Sequence, residues 1–307
     1  MGTQLFARGL TSGDSPELWN VEHPERVREV HEAYLNAGSD VILTNTFGGS
    51  RFRLALHGLD PRAFELNNAG AAIAKAAVAA SGRNALVAGS MGQTGELIEP
   101  LGEKTMAQMT EAFEEQARGL AAGGADIIWI ETMSALNEIE AAVTGARLGA
   151  PDLPIVITMS FDTNGRSMMG VTGTQLAATG IQLAIDGFGA NCGATVAQTE
   201  AAVREVLASA DGRLVVSKAN AGIPEWKEGG LAYDGTPEIM AAHAIRMRDA
   251  GATFIGACCG STPEHIALMR QAIDGTIEVE DIVAPGPAPR ESTPASAAPP
   301  RRRRRQG

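Results

Sequence analysis

Short runs of apolar and β-branched residues recur along this chain at intervals of roughly 30 to 45 residues, and each is followed by a turn and a helical pattern. This alternation is typical of βα repetition, in which helices cover a parallel sheet. Most runs lack a polar face, as expected for strands that are buried on both sides. We therefore predict strands at 40–47, 85–89, 126–133, 154–161, 187–192, 214–218 and 253–258.

The segments between these runs carry recognisable helix start signals. Thr105 and Gln108 have the spacing of a capping box, and the apolar positions after them recur at helical intervals. Thr236 and Thr262 each precede a proline, so a capping hydroxyl stands before the residue type favoured at the first helical position. The 23 residues ahead of the helix that begins near Pro24 are predicted to form a loop. Further helices are predicted at about 24–37, 60–81, 136–148, 174–185 and 197–208.

Seven predicted strands leave two fold classes open, because a closed (β/α)8 barrel needs eight strands and a doubly wound open sheet accepts seven. The glycine fingerprint that often accompanies the open sheet is absent, since Gly89, Gly92 and Gly95 have a different spacing. We therefore predict an α/β fold of the (β/α)8 TIM-barrel class over residues 1–283, with its first strand expected upstream of residue 1. Residues 284–307, rich in proline, alanine and arginine, are predicted to form a disordered tail.

Charge and cysteine content narrow the classes of function. The chain has a formal net charge of -11, while its last 24 residues carry six arginines against one glutamate. The acidic body should repel phosphate backbones, so we expect no nucleic-acid partner for it. The run Arg301–Arg305 has two interpretations, a solvated end or a contact for an acidic partner or RNA.

Three cysteines make a disulfide framework improbable, and no signal peptide or membrane-length apolar run is present, so a cytoplasmic protein is expected.

All three cysteines stand where predicted strands end, which is where parallel barrels keep their reactive groups. Cys192 closes GFGANCG, and Cys258 and Cys259 close TFIGACCG. Neighbouring residues of a regular strand point to opposite faces, so the strand must break for both to reach one ion, and Gly256 and Gly260 supply backbone freedom. Three thiolates suit zinc and leave a fourth position open, as catalytic sites do. The alternative is three buried, inert cysteines.

These segments resemble the zinc-binding elements of the homocysteine S-methyltransferases, a family that includes betaine-homocysteine methyltransferases and the homocysteine module of cobalamin-dependent methionine synthases. The matching elements are NCG at 191–193 and GACCG at 256–260. The resemblance spans residues 1 to about 275, with further matches at MGT (1–3), ELWN (17–20), AGSDVILTNTFGGS (37–50) and GADIIWIETM (124–133). Relatives carry aspartate, glycine and alanine just before MGT, and that aspartate helps bind homocysteine. The first strand and its aspartate are therefore expected upstream of Met1.

The resemblance implies that Cys192, Cys258 and Cys259 hold Zn²⁺ and that the homocysteine thiol takes the open position. A thiol with a pKa of about 8.5 is only about 3% ionised at pH 7, so full ionisation gains roughly 30-fold in thiolate. A more acidic thiol is also a weaker nucleophile, so the metal must in addition orient the sulfur towards the methyl donor. The implied reaction is zinc-dependent methyl transfer to homocysteine, giving methionine.

The resemblance also implies a set of residues around the amino acid end of homocysteine: Thr44, Thr46, Glu131 and Asn191. Glu131 would receive the ammonium, and its position directly after the apolar IIWI independently calls for a partner at the barrel mouth. A rim charge or a helix-cap partner is the alternative for this carboxylate. Asn191 would either fill the fourth zinc position before substrate arrives or simply form a turn.

The methyl donor is the least determined part of this interpretation. The absence of an appended folate or corrinoid module favours a small onium compound such as glycine betaine, whose quaternary ammonium would need an aromatic cage. The candidate aromatic residues are Trp19, Phe47, Trp129 and Phe161. One alternative is a corrinoid carried on a separate protein, and another is a non-catalytic zinc- or thiol-binding barrel that lacks strand 1. Exposed barrel edges also lead us to expect a homo-oligomer.

Overall fold

Seven parallel strands form the main sheet of the computed structural model, which describes residues 1–162, 165–222, 224–227 and 230–282. The order of the strands in the sheet follows their order in the chain, and helices connect them. The strands of this sheet are β1 Val41–Leu43, β2 Leu86–Met91, β3 Ile127–Met133, β4 Ile155–Met159, β5 Gly187–Cys192, β6 Leu214–Ala219 and β9 Phe254–Ala257. Between β6 and β9 in the chain, β7 Pro224–Lys227 and β8 Gly230–Tyr233 form a separate two-stranded hairpin.

Eleven α-helices accompany these strands in the described part of the chain. The helix that follows Thr105 begins at Met106, and the predicted capping box is present, because Gln108 N donates to Thr105 Oγ1 at 3.2 Å and Thr105 N donates to Gln108 Oε1 at 2.9 Å. The helices are α1 Gly2–Phe6, α2 Trp19–Glu22, α3 Pro24–Asn36, α4 Arg51–Ala55, α5 Ala63–Ser81, α6 Met106–Ala122, α7 Leu136–Gly149, α8 Gly173–Gln182, α9 Val196–Ala208, α10 Pro237–Ala250 and α11 Pro263–Ile273. None of those described is long and apolar enough to cross a membrane.

The predicted fold class is confirmed, and every predicted strand has a counterpart in the sheet. The predicted loop ahead of Pro24 is wrong, because this segment contains α1, α2 and a 3-10 helix at Pro16–Leu18. These short elements have no periodicity to detect, and they form because Leu5, Leu10 and Trp19 pack against the apolar face of α3. The hairpin of β7 and β8 was also not predicted. The predicted tail at 284–307 lies outside the described residues.

Side chains alternate between the two faces of the sheet. Ile128 and Ile157 belong to the large cluster that packs beneath the helices, whereas Trp129, Val156 and Val216 form a separate cluster on the opposite face. The second cluster contains residues of six strands, which shows that the sheet curls around it as a barrel interior.

Contacts between the first and last elements show the same curvature. Tyr34 of α3 donates from its hydroxyl to the carbonyl of Ser261, which follows β9, at 2.8 Å. Arg270 of α11 forms an ion pair with Asp40, which precedes β1. The two edges of the described sheet are therefore brought towards each other, and the carboxyl ends of the strands surround one mouth.

Candidate active site

The three cysteines meet at the carboxyl ends of β5 and β9. Their sulfur atoms all lie within 4.8 Å of one another, and those of Cys192 and Cys258 are 3.1 Å apart. All three are free thiols, of which Cys259 is exposed and the other two are half-buried. Soft thiolates are preferred zinc ligands, and three protein ligands leave one tetrahedral position for a substrate. The donor set therefore fits a zinc site of the catalytic kind.

The backbone departs from regular strand geometry at both cysteine segments. Cys192 has a φ of 58°, in the left-handed region that costs a non-glycine residue about 1–3 kcal/mol. Its carbonyl accepts a hydrogen bond from Thr199 Oγ1 at 2.8 Å, which helps to hold this conformation. β9 ends at Ala257, so strand alternation no longer separates Cys258 from Cys259.

Asn220, which sequence reasoning missed, ties the two cysteine segments together. Its Nδ2 donates to the carbonyl of Gly193 at 3.0 Å, and its Oδ1 accepts from the backbone N–H of Cys259 at 3.0 Å. The backbone N–H of Cys258 donates to the carbonyl of Ala219 at 2.7 Å. The loop after β6 therefore sets the separation of the thiols. An Asn-Ala-Gly turn directly after an apolar run was the available signal.

Asn191 lies directly below the cluster and is completely buried. Its Oδ1 accepts from Thr132 N at 2.9 Å, and its Nδ2 donates to Thr132 Oγ1 at 2.7 Å. The same Nδ2 lies 3.5 Å from the sulfur of Cys192 and 3.7 Å from that of Cys258. The amide thus presents its nitrogen to the two sulfurs, while its oxygen accepts from the backbone N–H of Thr132.

The thiols influence one another strongly. Hydrogen bonds from Cys192 and Cys259 hold the pKa of Cys258 well below its usual value, and the positive charge of Lys218 and the amide of Asn191 act in the same direction against burial. The pKa of Cys192 is raised, chiefly by its hydrogen bond to Cys258. The convergence of hydrogen-bond donors on the sulfur of Cys258 is the physical reason for its lowered pKa.

Glu131 projects into the barrel interior near the carboxyl end of β3. It is buried, with Oε1 accepting from Ser90 Oγ at 2.6 Å and Oε2 accepting from Lys218 Nζ at 2.8 Å. This carboxylate is therefore a fully partnered interior charge rather than a rim charge. Sequence reasoning missed both partners. A lysine at the end of the apolar LVVSK was a detectable signal for one of them.

Thr44 and Thr46 belong to the same polar layer. Their hydroxyls are 2.6 Å apart, Ser90 N donates to Thr44 Oγ1 at 2.9 Å, and Thr46 Oγ1 donates to Ser90 O at 2.7 Å. Ser90 in turn contacts Glu131. The structure thus connects the two threonines to the carboxylate through one serine. None of the described hydrogen bonds connects either threonine to the cysteines.

The four aromatic candidates for a donor cage do not come together as exposed rings. Trp19, Trp129 and Phe161 are buried in the core, and Phe47 alone among the four is exposed, at 37%. Trp19 belongs to the cluster against α3. Trp129 lies in the barrel interior, where Lys218 Nζ is 5.4 Å from the centroid of its ring. These four residues therefore form no cage in this conformation.

Sequence comparisons identify relatives of this chain. The profile of the family described as homocysteine S-methyltransferase matches residues 1–273. Methionine synthase of Mycobacterium tuberculosis is 32% identical over 289 residues, covering 89% of this chain and 24% of that protein. Methionine synthase of Mycobacterium leprae is 31% identical over 297 residues, covering 90% of this chain and 24% of that protein. The chain thus spans about a quarter of the length of these curated relatives.

Structural comparison finds a similar fold in the homocysteine methyltransferase MmuM from Escherichia coli. Its oxidised form has a TM-score of 0.73 and 24% sequence identity, covering 88% of this chain and 92% of that one. Its metallated form has a TM-score of 0.72 and 23% identity, covering 88% and 93%. At this level of identity the likeness supports the barrel fold.

Proposed function

Because the chain belongs to the homocysteine S-methyltransferase family, we propose that it transfers a methyl group to the thiol of homocysteine, giving methionine, at a zinc site formed by Cys192, Cys258 and Cys259. The convergence of three thiols within 4.8 Å at one barrel mouth is the observation that carries the proposal. MmuM, which shares the fold, has been solved in a metallated form. The free thiols also suit a reducing compartment, and we include a cytoplasmic location in the proposal.

Zinc, when bound, supplies the positive charge that keeps the substrate sulfur ionised near neutral pH. The chain's own contribution is to fix the donors. Asn220 holds the two cysteine segments at a set separation, and Asn191 directs an amide N–H towards two of the sulfurs. Such supporting contacts orient metal ligands and tune their basicity.

The amino acid end of homocysteine is assigned to the polar layer inside the barrel. Glu131 receives the ammonium, with Ser90 holding one carboxylate oxygen in place. Thr44 and Thr46 border this layer through their contacts with Ser90. The burial of this layer strengthens the charged contacts, because few water molecules compete for the same groups.

The chemical step is a displacement at the methyl carbon. The homocysteine thiol loses its proton to solvent on binding, its sulfur forms a bond to the methyl carbon, and the carbon–heteroatom bond of the donor breaks with its electron pair leaving on the donor. An alignment of sulfur, methyl carbon and leaving atom is the geometric requirement, and a fixed sulfur position lowers the cost of meeting it.

A small onium compound such as glycine betaine remains the first donor to test. A second candidate is methyl transfer from a corrinoid held by a separate protein, with this chain as the homocysteine-activating unit. It is favoured by the burial of three of the four aromatic candidates and by the similarity to methionine synthases that are about four times longer.

The test combines metal content with product formation. We expect purified protein to bind about one zinc per chain and to form methionine from homocysteine with glycine betaine, a methylsulfonium amino acid or methylcobalamin. Cys192→Ser and Cys259→Ser should lose both properties, whereas His57→Gln, which removes an exposed potential ligand, should retain them. Zinc binding without methionine formation from any donor would favour the non-catalytic zinc-binding barrel. A folded wild-type protein with no affinity for zinc would contradict both.

A further inference from the structure

A buried ion pair crosses the barrel interior beneath the cysteines. Lys218 of β6 and Glu131 of β3 are joined by a 2.8 Å contact between Nζ and Oε2, although β4 and β5 lie between their strands in the sheet. Only 10% of each side chain is exposed. In the sheet register Lys218 pairs with Asn191 on one side and with Gly256 on the other. The lysine therefore lies one residue below the level of Cys192 and two residues below that of Cys258.

The surroundings of Lys218 keep it charged. Burial by itself would lower its pKa, but the negative charge of Glu131, followed by that of Cys258, outweighs burial and raises the pKa. Its stem lies against Gly256, where an added Cβ would be 3.5 Å from Lys218 Cγ. The described hydrogen bonds give Nζ one acceptor, Glu131 Oε2. Nζ also lies over the ring of Trp129, 5.4 Å from its centroid. An ammonium has three protons, so Nζ retains the capacity to donate to a ligand besides Glu131.

Another polar group of this layer, unlike Lys218, has no hydrogen-bond partner among the described residues. Thr158 of β4 is completely buried, and its Oγ1 makes no hydrogen bond there. Thr158 stands two residues after Val156, which packs in the barrel interior and pairs in register with Trp129. Its hydroxyl therefore belongs to the interior face, on the strand next to the one that carries Glu131. Buried groups of this kind usually bind water or a ligand.

We propose that Lys218 binds the carboxylate of the acceptor amino acid while Glu131 binds its ammonium, so that the pair selects a zwitterionic thiol. This inference rests on the proposed function and extends it to a residue that determines specificity. An α-amino acid carries both charges on one carbon, and it can satisfy both members of the pair as they separate. A thiol that lacks the carboxylate would draw Glu131 away and leave Lys218 as an uncompensated buried charge.

A purely structural role for the lysine makes a different prediction. If Lys218 only neutralised Glu131, its replacement would alter stability and would affect zwitterionic and cationic ligands alike. If Lys218 binds the carboxylate, its replacement weakens binding of the zwitterion and strengthens binding of the cation, because Glu131 is then free to pair with an ammonium. The two roles are therefore distinguished by the ratio of affinities for two ligands rather than by either affinity alone.

The experiment compares norleucine with pentylamine, which lacks its carboxylate, by calorimetry on wild type, Lys218→Met and Lys218→Arg. Neither ligand has a thiol, so binding is read independently of zinc and of turnover. We expect wild type to prefer norleucine, Lys218→Met to reduce that preference by about 30-fold or more, and Lys218→Arg to keep most of it. Lys75→Met is the matched control, since this exposed lysine is paired with Asp126 away from the mouth.

Turnover provides the second readout. In Lys218→Met the preference for homocysteine over 3-mercaptopropylamine should fall by a similar factor, mainly through KM, with circular dichroism confirming the fold. An unchanged norleucine preference in a folded Lys218→Met, or no norleucine binding by wild type, would overturn the inference. Absence of methionine formation together with a preference that depends on Lys218 would instead contradict only the proposed reaction.

Discussion

The side-chain amide of Asn191 bonds to both the backbone N–H and the hydroxyl of Thr132, joining the end of β5 to the end of β3 across the intervening β4. Thr132 and Cys192 both have left-handed backbones, with φ of 62° and 58°. Each follows a residue of the polar interior, Glu131 in one case and Asn191 in the other. The amide therefore supports the unfavourable backbone of Thr132 directly, and its nitrogen also approaches the sulfur of Cys192.

Replacement of this amide should weaken the site and the fold together. We expect Asn191→Ala to lower zinc affinity about 10- to 100-fold, as loss of a group that orients metal ligands does. The free energy of unfolding should fall by about 1–3 kcal/mol, because the backbone N–H of Thr132 loses its acceptor. Chelator competition and urea denaturation measure the two effects. Asn84→Ala, at an exposed position, should change neither, and wild-type zinc affinity in Asn191→Ala would contradict this role.

Metal-free protein should show an order of thiol reactivity opposite to the order of exposure. Cys258 is half-buried with a lowered pKa, held down chiefly by Cys192, whereas Cys259 is exposed with a pKa raised to about 11. The thiolate is the nucleophile, so iodoacetamide at pH 7 should modify Cys258 first. Mass spectrometry of quenched samples reads the order, and the rate at Cys259 should increase as the pH approaches 11. Faster modification of Cys259 at pH 7 would show that exposure dominates.

His31 should make stability depend on pH in a defined window. Burial lowers its pKa from 6.5 to about 3, so the unfolded chain binds its proton at higher pH than the folded chain does. Its contribution to stability is present above pH 6.5 and is lost as the pH falls towards 3, by up to about 1.4 kcal/mol per pH unit.

Urea unfolding between pH 7 and pH 4 tests this. We expect the free energy of unfolding of His31→Leu to fall less steeply with decreasing pH than that of wild type. His57→Gln, at an exposed histidine, should keep the wild-type dependence on pH. Parallel pH profiles for wild type and His31→Leu would show that His31 is not the group responsible. The side chain has no hydrogen-bond partner at Nε2 among the described residues, so the change to leucine removes a buried polar atom and breaks no bond there.

Gly189 of β5 should tolerate no side chain. A Cβ at this position would lie 2.1 Å from the carbonyl oxygen of Val216 and 2.6 Å from its nitrogen. These are backbone atoms of the neighbouring strand β6, so the strands would have to separate, and we expect Gly189→Ala to cost at least about 2 kcal/mol in unfolding free energy. Gly2→Ala is the control, because nothing lies within 4 Å of its added Cβ. Equal stability of the two variants by urea denaturation would contradict the close approach.

Most of the barrel could be predicted from local pattern because strands buried on both faces are continuous apolar runs and their helices begin with capping signals. The segments that escaped prediction are short. Trp19–Glu22 spans a single helical turn, and helices of this length are stable only through tertiary packing. The strands of the hairpin, β7 and β8, are likewise short, at four residues each.

The candidate site likewise contains some residues that the sequence could predict and others that it could not. The cysteines could be predicted because each stands at the end of a recognisable strand, and parallel strands end at one mouth. Lys218, Ser90 and Asn220 could not be assigned, because their roles depend on which groups face them across the barrel. The substrate contacts of Thr44, Thr46 and Glu131 followed from the resemblance and remain predictions, although the position of Glu131 after an apolar run independently calls for a partner.

The amino-acid sequence by itself determined the βα repeat and the placement of three thiols at strand ends, because hydrophobic periodicity and strand termination are properties of neighbouring residues. Only the tertiary structure decided that Lys218 neutralises Glu131 and that Asn191 supports Thr132. These pairs lie 87 and 59 residues apart in the chain. Their contact depends on how the sheet curls and on its strand register, and no local pattern encodes either.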